Sequence, residues 1–132
     1  MSYPWLLQIG LFTKLDADLT APVYSDGAVP DNTDDLYVVI GNDTHIEWDT
    51  DGQTGFESTV TVHVWDTDDS GLYGPCKQMQ GDIYDSLHRS ASLSVTGYDV
   101  VGVDQELMET FIDADGLTRH GIQRFRIIAR KA

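Results

Sequence analysis

The ten residues Glu57–Asp66, "ESTVTVHVWD", alternate strictly. Val60, Val62 and Val64 fall on one side, and Thr59, Thr61, His63 and Trp65 on the other. A period of two marks a strand with one dry and one wet face, because successive Cβ atoms point to opposite sides of the backbone. Upstream, "LYVVIGNDTHIEW" (36–48) opens with a continuous β-branched and aromatic run. This predicts a strand buried on both faces that loosens into alternation toward its end. Between the two lies "DTDGQTGF" (49–56), whose Asp and Gly content is that of a turn. The three segments together predict a long antiparallel hairpin.

Toward the N-terminus, Ser2 followed by Pro4 suits a helix start, and Leu7, Leu11 and Leu15, flanked by Trp5, Ile9 and Phe12, form an apolar stripe at helical spacing. A helix over Tyr3–Ala17 follows. "APVYSDGAVPDNTDD" (21–35) reads as a loop by its prolines, glycine and aspartates, with at most a short strand near Val23 and Tyr24. Beyond the hairpin, "TDDSGLYGPC" (67–76) breaks the chain, and Pro75 suits the first turn of a second helix. Met79, Ile83 and Leu87 recur at four-residue spacing toward the core, and the helix is expected to end near Arg89. "GYDVVGVDQELMETFI" (97–112) and "TRHGIQRFRIIAR" (118–130) read as a final strand pair joined by the hairpin turn "DADG" (113–116). The expectation is an α+β fold: a mostly antiparallel sheet with two helices packed on one face, in the order helix-strand-strand-helix-strand-strand. Length and composition suit one domain over residues 1–132, with 41% apolar residues available for a core.

Charge is distributed unevenly. Eight Lys and Arg oppose 22 Asp and Glu, for a formal net charge of −14. Five of those eight, Arg119, Arg124, Arg126, Arg130 and Lys131, lie in the last fourteen positions, where no acid accompanies them. The acidity argues against a protein that wraps DNA or coats an anionic membrane, since phosphate contacts are made by cations. The N-terminal apolar run lacks a basic start and a small-residue cleavage site, and Lys14 and Asp16 interrupt it well short of a membrane span. The single cysteine, Cys76, has no intramolecular disulfide partner, fits a reducing compartment and is expected in the core. These features point to a protein made in the cytoplasm.

Little suggests catalysis or cofactors. "DTDDSG" (66–71) matches the start of a calcium loop, but its twelfth place is Lys77 where a bidentate Glu is required. His45, His63, His88 and His120 form no HExxH pair, and neither a nucleophile elbow nor a phosphate loop occurs. No enzyme activity, metal or cofactor is expected. The final strand carries the positive signal. Gln123, Phe125, Ile127 and Ala129 share one face, whereas Ile122, Arg124, Arg126, Ile128 and Arg130 share the other. Those cations either pair across strands with Asp104, Glu106 and Glu109 or meet an acidic surface of another copy, where the forked guanidinium is favoured. Sequence leaves both open.

Taken in order, the first helix, "PVYSDGAVP", "LYVVIGNDTHIEWD", "TVTVHVWD", the helix ending in "LH" and "DADGLTRHGIQRFRI" resemble the tail-completion, or tail terminator, proteins of long-tailed bacteriophages and gene transfer agents. The resemblance spans nearly the whole chain. One departure is Leu36 before Tyr37, where the family usually has Pro. The resemblance implies a structural virion component at the neck end of the tail, made in the host bacterial cytoplasm. Such a protein caps the tail tube as a hexameric ring, ends tube polymerisation and offers a joining surface to the head connector. Its partners would be other copies of itself, the tail tube protein and the head-tail connector protein, with DNA passing through the lumen without specific binding and no membrane involved. In that setting Arg124, Arg126, Arg130, Ile122 and Ile128 are the expected subunit interface, and Asp26, Asp31, Asp34, Asp35, Asp49 and Asp51 the expected lumen or tube-facing loops. A head-completion or connector protein, and a small Asp-rich metal-binding module, are the alternatives.

Overall fold

The computed structural model describes residues 2–25 and 29–132. Its elements run α1 (Tyr3–Asp18), β1 (Val23–Tyr24), β2 (Leu36–Glu47), β3 (Gly55–Asp66), α2 (Gly74–Leu87), β4 (Tyr98–Ile112) and β5 (Arg119–Lys131). Five strands form one sheet in the order β1-β2-β3-β5-β4, in which only β1 and β2 are parallel. The fold is α+β, and the short early strand exists. The spatial order adds what a linear reading lacks: β5 is inserted between β3 and β4, so the most cationic strand lies inside the sheet.

Pro4 falls in the first turn of α1, where its missing N–H would have had no helical partner. Ser2 occupies the cap position, but its side chain makes no capping bond; the Ser2 carbonyl accepts from Leu6 N–H instead. Tyr3, Leu7, Leu11 and Leu15 are buried along one stripe. The partner helix buries Cys76, Met79, Ile83 and Leu87 and ends where His88 turns extended. α1 touches β1, β2 and α2, whereas α2 touches β3, β4 and β5. Between them sits one apolar core that includes Val38, Ile40, Val60, Val62, Val64, Val103, Phe125, Ile127 and Ala129.

Two expectations fail. β2 is not buried on both faces: Val38 and Ile40 are buried while Tyr37 and Val39 are only half-covered, because no layer lies on the second face. The apolar stripe of α1 is also narrower than expected: Trp5 is 49% exposed, and Ile9 lies beside it on the outward side of the helix. A stripe at four-residue spacing already fills the contact with the sheet, leaving these flanking positions outside.

Polar groups within the core tie the layers in one register. Gln80 of α2 donates to the Glu109 carbonyl at 2.9 Å and accepts from the Thr110 hydroxyl at 2.6 Å. Gln123 of β5 donates to the Gln80 carbonyl and to Gln105 Oε1, each at 2.9 Å. Buried amides are costly unless bonded, so this network favours one placement of α2 over β4 and β5. Gly121 makes it possible, since a Cβ there would lie 2.6 Å from the Gln80 side-chain amide.

A second lock closes one end of the sheet. Arg119, 0% exposed, meets the buried Asp66 carboxylate at 3.3 Å through its side-chain nitrogen Nη2. The same guanidinium donates to the Leu117 carbonyl at 2.6 Å and to the Asp68 carbonyl.

Two substitutions test these locks. Gly121→Ala should lower unfolding stability by about 1–3 kcal/mol through overpacking against Gln80. Arg119→Met should cost roughly 3–5 kcal/mol, because it leaves the buried Asp66 carboxylate unpaired. Urea denaturation of both variants beside the wild type reads the two losses.

Candidate functional site

The helices leave one face of the sheet uncovered, and β5 runs along its middle. Alternation sends Phe125, Ile127 and Ala129 into the core and Ile122, Arg124, Arg126, Ile128 and Arg130 to the open face, as their burial shows. All five expected interface residues therefore share one surface, and cross-strand partners now account for two of the cations. Arg124 meets Glu106 at 3.5 Å through Nε, and Arg126 donates from Nε to Glu57. By register Arg126 lies opposite Asp104, yet Asp104 meets Arg89 instead, at 3.7 Å. Arg130 lies opposite Asp99, is exposed and makes no ion pair among the described residues. Ile122 sits between His63 and Glu109, and Ile128 between Glu57 and Gly102. The open face is thus a ladder of opposite charges with isoleucines between its rungs.

One end of that face is aromatic. Tyr37, Trp65, His120 and Phe111 occupy one row across β2, β3, β5 and β4. Trp65 stacks on His120 with ring centroids 3.7 Å apart, and His63 Nδ1 meets His120 Nε2 at 2.8 Å. A contact of this kind needs one nitrogen to donate and the other to accept, so at most one of the two imidazoles can be charged without losing it. Burial holds both histidines below their ordinary pKa; at His120 the neighbouring His63 adds to the depression, while Asp113 opposes it.

The acidic positions do not form one patch. Asp31, Asp34 and Asp35 are exposed before β2, whereas Asp49 and Asp51 are exposed in the turn after it. β2 has 12 residues, so at about 3.3 Å per residue the two groups are separated by roughly 40 Å. Asp26 lies outside the described residues. In the later turn Asp51 and Gly52 have φ of 49° and 80°, the backbone of a two-residue hairpin turn, where Asp-Gly is favoured. The calcium half-match is likewise occupied by the protein itself: Asp66 is committed to Arg119, and its other oxygen accepts from Asp68 N–H at 3.2 Å. Among the described residues no group of three or more His, Cys, Asp or Glu side chains is placed to hold a metal ion. Cys76 is buried, and burial first of all pushes its thiol up to about 11, so the thiolate is suppressed.

Sequence reasoning missed two features here. The sequence reading counts Arg119 only among the C-terminal cations and assigns it no face, although extending the alternation of β5 back from Gln123 through Gly121 places it on the core side. The contact between His63 and His120 had no local signal, because their strands are joined only through α2 and β4.

The histidine pair predicts a pH dependence with a definite sign. The folded pKa values lie below the ordinary 6.5, so the unfolded chain takes up these protons first. The contribution to stability is present above pH 6.5 and is lost as pH falls through the folded values. The urea midpoint should drop between pH 7.5 and about pH 5, and the drop should shrink in His63→Gln.

Comparison with known proteins supplies the family. The family model described as "Tail completion protein gp17" matches residues 12–130. Among solved structures, a chain from the virion of a native gene transfer agent particle superposes with a TM-score of 0.84 at 18% identity, covering 98% of each chain. No curated protein sequence matches the chain. The structural likeness speaks for the fold, while the family match covers nearly every element described above. The chain belongs to the tail completion protein gp17 family, and is a structural component of the tail.

Proposed function

We propose that the chain caps the tail tube as a hexameric ring, ends tube polymerisation and presents the joining surface to the head connector. The observation that carries this reading is the family match over residues 12–130, supported by the full-length likeness to a chain of a gene transfer agent virion.

In this reading the open face contributes to contacts between copies. A ring requires a heterologous interface, in which one surface of a subunit meets a different surface of the next. Arg124 and Arg126 remain 45% and 39% exposed in their side chains after pairing. Both pairs use Nε, which leaves the terminal nitrogens of each fork for a carboxylate on a neighbour. Ile122 and Ile128 add apolar area between them, and Arg130 adds a cation that makes no ion pair among the described residues. The separated aspartate loops fit a ring with its strands along the channel, one group near each rim, where they repel DNA phosphates and keep the passage free of adhesion.

Electron microscopy of particles made without the gene tests the reading. Over-long or ragged tails detached from filled heads are expected, with restoration on complementation. Tails of normal length that fail only to join heads would make the protein a head-completion component instead. Normal particles would refute both. The interface is tested separately: Arg124→Glu with Arg126→Glu should leave a folded subunit that no longer restores tail length, whereas full complementation would remove these arginines from the contact.

A further inference from the structure

Leu36, Asp66, Arg119 and Ile112 form one row across four strands, and the loops beyond it share one end of the molecule. Two of those loops, residues 67–73 and 113–118, expose large apolar side chains: Leu72 is 63% exposed and Leu117 54%, with Tyr73 and Ile112 also exposed. Around them stand Asp68, Asp69, Asp113 and Asp115, and neither loop contains a Lys or Arg. Nearby Asp35 accepts from Thr67 N–H at 3.0 Å through its carbonyl, so a third acidic segment borders the same end.

These leucines stand on ordered backbone. The buried Arg119 guanidinium donates to the carbonyls of both Asp68 and Leu117, one from each loop. Asp115 accepts from the backbone N–H groups of Leu117 and Thr118 at 2.9 and 2.8 Å, and Ser70 Oγ accepts from Leu72 N–H at 3.3 Å. Loops already held in place lose little entropy on binding, and exposed apolar patches with a polar rim mark contact surfaces between proteins.

The charge decides what kind of partner fits. Nucleic acid is excluded by sign. A second copy is a poor occupant, because Lys14, Arg89 and Arg119 are already in ion pairs within the subunit, while in the ring proposed above Arg124 and Arg126 turn to a lateral neighbour and the strands, running along the channel, set this end along the ring axis and away from that neighbour. Of the others, Lys77 lies over the Tyr73 ring at this same end, and Arg130 and Lys131 lie at the far end of β5 beside Asp99. Two chains of net charge −14 meeting at this end would repel. We propose that this end of the sheet docks a different protein of the particle, whose contact surface is apolar at its centre and rimmed by Lys or Arg. The inference rests on the chain being a tail component, and it distinguishes this end from the open face, where copies meet.

Site-specific photo-cross-linking in assembled particles tests it. A photoreactive phenylalanine analogue replaces Leu72 or, separately, Leu117, both exposed enough to be replaced without disturbing the core, with Ile128 replaced as the control on the open face. Irradiation of purified particles should join positions 72 and 117 to a protein other than this chain. Adding Asp69→Lys should lower that yield several-fold. Cross-links only between copies of this chain, no cross-link while position 128 reacts, or a yield indifferent to Asp69→Lys would each overturn the proposal. If the wild-type chain were absent from purified particles, the tail reading itself would fail and take the docking surface with it.

Discussion

Everything in this molecule turns on β5 having two different solvents on its two faces. Among the described residues it is the one cationic strand of an acidic chain, it lies between β3 and β4, and the helices cover only one side of the sheet. A strand so placed must send every second residue into a dry layer and every other one out of it. Phe125, Ile127 and Ala129 fill the core, while Arg124, Arg126 and Arg130 stay where guanidinium groups keep their hydration or find carboxylates. A register slip of one residue would bury three arginines and expose the centre of the core. That cost holds the sheet order in place and, through it, the loops at both ends.

Arg119 is the exception that the same alternation forces. Its parity points inward at the first position after the hairpin turn, so the charge is buried and must be compensated there. Asp66, directly opposite on β3, supplies the carboxylate, and two loop carbonyls take further donors. Buried pairs of this kind contribute less to net stability than to uniqueness of structure, since removing either partner strands the other. Here the consequence is geometric: two surface loops far apart in sequence become one ordered end.

The sheet is also protected against pairing indiscriminately. β4 is an edge strand of 15 residues, long enough to recruit another chain. It is interrupted by irregularities between Val100 and Gly102 and between Gln105 and Leu107, and it carries Asp99, Asp104, Glu106 and Glu109. Bulges and like charges are devices that blunt an edge.

The sequence by itself determined the element types, the two buried helix stripes, the hairpins and the division of β5 into a core face and a cationic face, because periodicity and turn chemistry are local properties of the chain. The resemblance to tail-completion proteins was equally legible, since it resides in the order of short motifs along the chain. Only the tertiary structure decided that β5 sits between β3 and β4, that Arg124 and Arg126 are paired within the subunit, that Arg119 is buried against Asp66, and that the aspartate loops lie at opposite ends. It also brought His63 to His120 and Leu72 to the same end as Leu117. Each of these joins residues of separate segments, and nothing along the chain encodes which strand edges meet until helices and sheet close over a common core.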